Sequence, residues 1–167
     1  MTTRVRPRRT WAVVAALATV VSLGVVAAPA ATAATDPDKY CTLNISTGDL
    51  TCSSVDPFAG GRMARAASEG GTSYVLGRFY DSIDLEPSDG FFTITAQSPC
   101  DTSPDLDFTV GTVPAGWNDR VSSFQGFNNC SIRLWRNGGA SGAYWGPSIL
   151  ANVLSTMDNQ ASSMTFY

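Results

Sequence analysis

Asn118-Asp119-Arg120-Val121-Ser122-Ser123 recurs in kind and order as Asp158-Asn159-Gln160-Ala161-Ser162-Ser163, so one (Asn/Asp)-(Asn/Asp)-x-x-(Ser/Thr)-Ser pattern starts at position 118 and a second at position 158. Each copy gathers amide or carboxylate oxygens, a hydroxyl and a backbone carbonyl within six residues. Oxygen-only ligation suits a hard cation such as calcium and disfavours softer metals. One such match arises by chance with a probability of about 0.07, and two together about a few times in a thousand. The pair therefore reads as an internal repeat rather than as two Ser-rich polar turns.

The sequence around the repeat reads as all-β. Short runs rich in aromatic and β-branched residues occupy Tyr74–Tyr80, Phe91–Thr95, Leu106–Val110, Val121–Phe127, Ser131–Trp135 and Ser162–Tyr167. Turn clusters separate them: Pro87-Ser88-Asp89-Gly90, Pro99–Pro104, Pro114-Ala115-Gly116 and Asn137-Gly138-Gly139. Such spacing produces sandwiches or barrels. Arg62-Met63-Ala64-Arg65-Ala66-Ala67, within Gly61–Glu69, is the one stretch that suggests a short helix. Trp117, Trp135, Phe124, Phe127 and Phe166 alternate with polar residues and are expected to face a core. Tyr144-Trp145, beside Gly146-Pro147, are expected to be partly exposed.

The repeat extends outward from its two polar loops. Trp135 stands seven residues before Gly142, and Tyr80-Asp81, followed by Leu85 and Gly90, is a looser version of the same arrangement. An aromatic, a hairpin glycine, a strand, a loop and then the six-residue motif resemble the Greek-key unit of the microbial βγ-crystallins. The resemblance covers roughly Gly77 to Tyr167 and is closest in the second unit; in the first, Gly90 comes three residues late and Pro87 holds the expected glycine position. It implies two Greek-key motifs packed as a βγ-crystallin-type sandwich. It also implies calcium held between the two loops, with Arg120 and Gln160 giving carbonyls and Ser122 and Ser162 giving hydroxyls. Asn118/Asp119 would stand against Asp158/Asn159 as side-chain ligands from the partner loop, and Asp81 and Arg136 would give hairpin carbonyls. Ser123 and Ser163 are expected to hold the folded hairpins by hydrogen bonds instead.

The ends and the cysteines bound the rest. Arg4, Arg6, Arg8 and Arg9 precede an apolar run from Trp11 to Ala28, and Ala31-Thr32-Ala33 is a small-x-small cleavage site. Residues 1–33 therefore read as a signal peptide, with a transmembrane anchor as the disfavoured alternative. Four of the 11 basic residues leave with the leader, so seven face all 14 acidic ones, a net charge of −7 on the remaining 134 residues. That surface argues against nucleic-acid or anionic-membrane partners and favours cations. Cys41, Cys52, Cys100 and Cys130 all follow the cleavage site. An even count in an exported chain predicts two disulfides. Of three possible pairings, Cys41–Cys52 with Cys100–Cys130 is favoured, because Cys41 and Cys52 bracket the turn Ser46-Thr47-Gly48-Asp49. The expected organisation is a leader (1–33), a small disulfide-stapled N-terminal extension (34–72) and the Greek-key domain (73–167).

The absence of histidine removes the common Ser–His and Cys–His nucleophile systems and the usual catalytic zinc sites. Asp84/Glu86 and Asp105/Asp107 read as solvated loop charges rather than as a glycosidase pair. The expectation is a secreted, non-enzymatic calcium-binding protein. The alternative is a secreted proteinase inhibitor of the metalloproteinase type, or a toxin-like protein, on the same fold. An extracellular protease would then be the partner, and the tethered segment Cys100–Asp107 a preorganised binding loop.

Overall fold

The computed structural model describes residues 39–57 and 73–167. The leader, its cleavage site and the stretch suggesting a short helix lie outside those residues. Ten strands lie among the described residues: β1 Tyr40–Asn44, β2 Asp49–Ser53, β3 Tyr74–Tyr80, β4 Phe91–Ala96, β5 Phe108–Val110, β6 Ser123–Gly126, β7 Ile132–Asn137, β8 Ser141–Ser148, β9 Leu150–Ala151 and β10 Ser163–Phe166. All six runs read as strands from their aromatic and β-branched content become strands, with ends moved by a few residues. β8 and β9 were not anticipated. Gly142, Gly146 and Pro147 mark β8 as a turn by composition, yet it is the outermost strand of its sheet, where a residue without an amide hydrogen is tolerated.

The strands form two sheets in the orders β2-β1-β4-β3-β6-β9 and β5-β10-β7-β8. Each Greek key lends one strand to the other's sheet. β5, from the first key, pairs with β10, and β9, from the second, pairs with β6. Inward-facing residues of both sheets, among them Leu76, Phe79, Phe92, Ile94, Phe124, Ile132, Leu134, Met164 and Phe166, meet in one cluster with Trp117 from the segment between β5 and β6. Full burial of a side chain of this size stabilises by about 1.5–3 kcal/mol relative to exposure. Trp135 and Phe127 depart from the core reading and are only half-buried. Trp135 lies on the outer face, where its indole N–H donates to the Thr165 hydroxyl at 3.0 Å.

The N-terminal hairpin continues the first sheet. β1 and β2 pair antiparallel with Cys41 opposite Cys52, and β1 then runs parallel to β4, Tyr40 beside Phe91. Leu43 and Ile45 pack against the main core, which includes Cys41. Gly90, with φ +118°, is required here, since a Cβ would come within 2.3 Å of the Lys39 carbonyl oxygen. The fold is thus an all-β, two-Greek-key sandwich with its N-terminal hairpin stapled by one disulfide.

Both favoured disulfides are formed, Cys41–Cys52 and Cys100–Cys130, at sequence separations of 11 and 30. Loop-closure entropy assigns about 3 kcal/mol to the shorter link and about 4 kcal/mol to the longer. Urea unfolding of Cys41→Ala/Cys52→Ala and Cys100→Ala/Cys130→Ala should therefore rank the second pair as the more costly. The reverse ranking would show that native packing, not chain entropy, sets their contributions.

Candidate metal centre

The two motif loops lie against each other and bond crosswise. The Asp119 N–H donates to the Ala161 carbonyl at 3.2 Å, and the Asn159 N–H donates to the Val121 carbonyl at 3.0 Å. The Ser122 hydroxyl donates to Asn159 Oδ1 at 3.3 Å, and the Ser162 hydroxyl to Asp119 Oδ1 at 3.4 Å. Asp119 and Asn159 both have left-handed backbone, φ 59° and 53°, a region that Asn and Asp tolerate better than most residues. Each second-position oxygen thereby faces the fifth-position hydroxyl of the opposite loop.

The loops are also tied to the strands that enter the folded hairpins. The Ser122 N–H donates to the Tyr80 carbonyl at 2.8 Å, and the Ser162 N–H to the Trp135 carbonyl at 2.9 Å. The sixth-position serines behave as anticipated. The Ser123 hydroxyl donates to the Ser82 carbonyl and accepts from the Leu85 N–H, while that of Ser163 donates to the Asn137 carbonyl and accepts from the Ala140 N–H. Both serines are fully buried, so each hydroxyl closes a polar circuit with no access to water.

The first positions differ between the loops. Asn118 donates its side-chain amide to Asp119 Oδ2 at 2.7 Å, orienting that carboxylate. Asp158 Oδ1 is buried without a hydrogen-bond partner. At the third position, the Arg120 guanidinium grips Asp81 (Nη2–Oδ2 2.8 Å), donates to the Gly116 carbonyl and stacks on Trp117. The Gln160 carbonyl accepts no hydrogen bond among the described residues. Arg136 is exposed and reaches the Thr156 carbonyl at 3.4 Å, in the turn just before Asp158. The structure brings eight of the ten expected residues together in the two loops and attaches Asp81 and Arg136 to their margins. The Asp81–Arg120 pair was missed, since no local pattern joins side chains 39 positions apart.

No three His, Cys, Asp or Glu side chains converge among the described residues. A cation here would rely on amide, hydroxyl and carbonyl oxygens with few carboxylates, a donor set that calcium accepts. The loops fit such an ion: two hydroxyl–oxygen pairs, a buried carboxylate oxygen with no partner and an unengaged carbonyl lie within two short segments.

The sequence matches no family model and no curated protein. Among solved structures, the chain is similar over 55% of its length to the N-terminal domain of Protein S, of which 94% is covered, at 15% identity and a TM-score of 0.40. It is likewise similar to a βγ-crystallin domain from Clostridium beijerinckii (14% identity, 55% of this chain, 97% of that one, TM-score 0.38). A βγ-crystallin from an archaeon gives 19% identity, 54% and 94% coverage and a TM-score of 0.35. The fold class, a βγ-crystallin-type sandwich of two Greek keys, rests on the strand order and on the exchange of β5 and β9.

Losing the hydroxyl of Ser123 or Ser163 strands a buried carbonyl and a buried amide, at about 1–3 kcal/mol for each unsatisfied group. Ser123→Ala and Ser163→Ala should each lose at least about 2 kcal/mol in urea unfolding, whereas Ser162→Ala, which gives up one long contact, should lose under about 1 kcal/mol. Equal small losses at all three would show that the hairpins are held by something other than these serines.

Proposed function

We propose that this is an exported protein whose paired loops bind calcium, with the metal stabilising the sandwich or triggering its association. The carrying observation is the crosswise facing of Ser122 with Asn159 and of Ser162 with Asp119. One ion would take the Ser122 hydroxyl, the Asn159 side chain and the carbonyls of Arg120 and Asp81. The other would take the Ser162 hydroxyl, the Asp119 carboxylate and the carbonyls of Gln160 and Arg136. Asp158, with its partnerless buried oxygen, is available as a further side-chain ligand. Calcium takes six to eight oxygens, so water would complete each shell.

Export is supported by the leader-like first 33 residues and by two disulfides, which persist in oxidising compartments. No helix among the described residues is long and apolar enough to cross a membrane.

Calcium should raise the melting temperature of the disulfide-intact protein. A site with a Kd of about 10 µM contributes about 2.7 kcal/mol at about 1 mM free calcium. Calorimetric titration showing no heat, together with an unchanged melting temperature at millimolar calcium, would overturn the assignment. The crosswise arrangement makes a further prediction. Ser122→Arg deletes one hydroxyl and sets a cation where the loops meet, so it should weaken both ions, as should Ser162→Arg. If either single variant loses one site while the other keeps its full affinity, the sites are independent and the shared-loop reading is wrong.

A further inference from the structure

The two keys repeat a second feature besides their loops. Arg78 stands two residues before Tyr80 in β3, and Arg133 stands two residues before Trp135 in β7. Tyr80 lies opposite Phe91 of β4, and Trp135 opposite Tyr144 of β8. Each guanidinium stacks on the equivalent ring at the same distance, Arg78 on Phe91 and Arg133 on Tyr144, both at 4.7 Å.

Their surroundings differ. β1 lies beside β4, and Tyr40 packs edge-on against Phe91 with ring centroids 5.0 Å apart. Phe91 is 2% exposed, whereas Tyr144 is 56% exposed, and among the described residues β8 has a neighbour on one side only. The Arg133 side chain has no hydrogen-bond or ion-pair partner among the described residues, and its Nε is buried without one. It rests against Trp135, Tyr144 and Tyr167, and it lines a groove of about 450 Å³ with Ser103, Pro147 and Ile149.

We propose that the outer edge of β8 is a docking site for an extended segment of a partner protein carrying an aromatic residue followed, two positions later, by an acidic one. The first key supplies the template. In β1, Tyr40 registers with Phe91 and Thr42 with Thr93, which itself lies opposite Arg78. Carried to the second key, the aromatic residue falls beside Tyr144, and the residue two positions on falls beside Gly146. β7 and β8 pair at Leu134–Trp145 and next at Ile132–Ser148, which leaves Arg133 opposite Gly146 and Pro147. Glycine puts no side chain between the incoming strand and Arg133, so a carboxylate at that place reaches the unpaired guanidinium. An Arg–carboxylate contact against aromatic walls is stronger than one in open water, because the charges are less screened. Pro147 has no N–H to donate, so backbone pairing stops there and the segment is short.

The probe is an acetylated, amidated peptide of residues 39–45 carrying Cys41→Ser and Thr42→Asp, titrated into the disulfide-intact protein. Backbone amide shifts should move at Ala143–Gly146, and the peptide should bind about tenfold tighter than the same peptide with Thr42 retained. Tyr144→Ala, at an exposed position that should leave the fold intact, should weaken binding about tenfold. Arg133→Gln should abolish the preference for the aspartate. The proposal is overturned by no binding at millimolar peptide, by shifts confined to β1 and β2, or by equal affinity of both peptides. N-acetyltyrosine binding as tightly as the peptide would replace the strand with a small aromatic acid. A dimer in sedimentation that Tyr144→Ala dissolves would replace the foreign segment with a second copy of this chain.

Discussion

The chain crosses between the two sheets through each motif loop, and most of the structure depends on that crossing. It leaves β5 in the second sheet, passes through residues 118–123 and enters β6 in the first; it leaves β9 in the first sheet, passes through residues 158–163 and enters β10 in the second. Two segments crossing in opposite senses at the mouth of one sandwich meet side by side, with the backbone of each offering donors and acceptors to the other. The paired bonds from Asp119 to Ala161 and from Asn159 to Val121 are the outcome. Because each sheet is completed by a strand from the other key, neither key has a finished sheet alone. The apolar residues of both keys accordingly form one core rather than two.

The same crossing determines which atoms of the loops are available for chemistry. The sixth-position serines are committed to the hairpins and fully buried, and the fourth positions, Val121 and Ala161, point into the core. That leaves the second and fifth side chains facing each other between the loops, Ser122 buried and Ser162 half-buried. Third-position side chains are free to vary, and they do. Arg120 makes an ion pair with Asp81 that is about one quarter exposed on each side, a contact worth at most about 1 kcal/mol. Gln160 and Arg136 hold the equivalent places in the second key, and Arg136 turns instead to the Thr156 carbonyl. The hairpin and third-position charges thus differ between the keys while the facing of hydroxyl and oxygen does not.

Much of this was legible in the chain because it is local. The motif repeat, the six strands marked by aromatic and β-branched runs, and the hairpin bracketed by Cys41 and Cys52 all lie within short windows, whereas the roles of Ser123 and Ser163, whose partners stand 23 to 41 positions away, came from the family resemblance. Features that failed to show are decided at long range or by edge position. β8 carries two glycines and a proline that deny it a strand signature, and β9 has two residues, too few to show a period. Trp135 has the alternation of a core residue but lies on the outer face beside Arg133, where a cation accepts an aromatic face in place of a core. The parallel pairing of β1 with β4 joins residues about 50 positions apart in the chain with no motif to announce it. Which of the paired first and second loop positions crosses over was also undecided by sequence. The left-handed backbone of Asp119 and Asn159 decides it, since that turn swings the second side chain toward the other loop.

The N-terminal hairpin breaks the internal two-fold, and its effect can be read from what each sheet presents at its border. Without β1, β4 would be an open edge with Phe91 at its surface, an arrangement that invites pairing with other chains. With the hairpin in place, the border moves out to β2, whose sequence Asp49-Leu50-Thr51-Cys52-Ser53 is largely exposed and mostly polar, and whose staple to β1 resists peeling. In the second sheet no hairpin is added among the described residues, and the border strand is blunted in another way. Gly142 and Gly146 take positive φ, and Pro147 removes a donor, so β8 pairs with register shifts and lacks one backbone donor. One edge is therefore closed by added chain and the other is restrained by its own backbone. Restraint of the second kind limits indiscriminate pairing and still leaves Tyr144 and Arg133 facing outward, which is why selectivity at that border has to come from side chains.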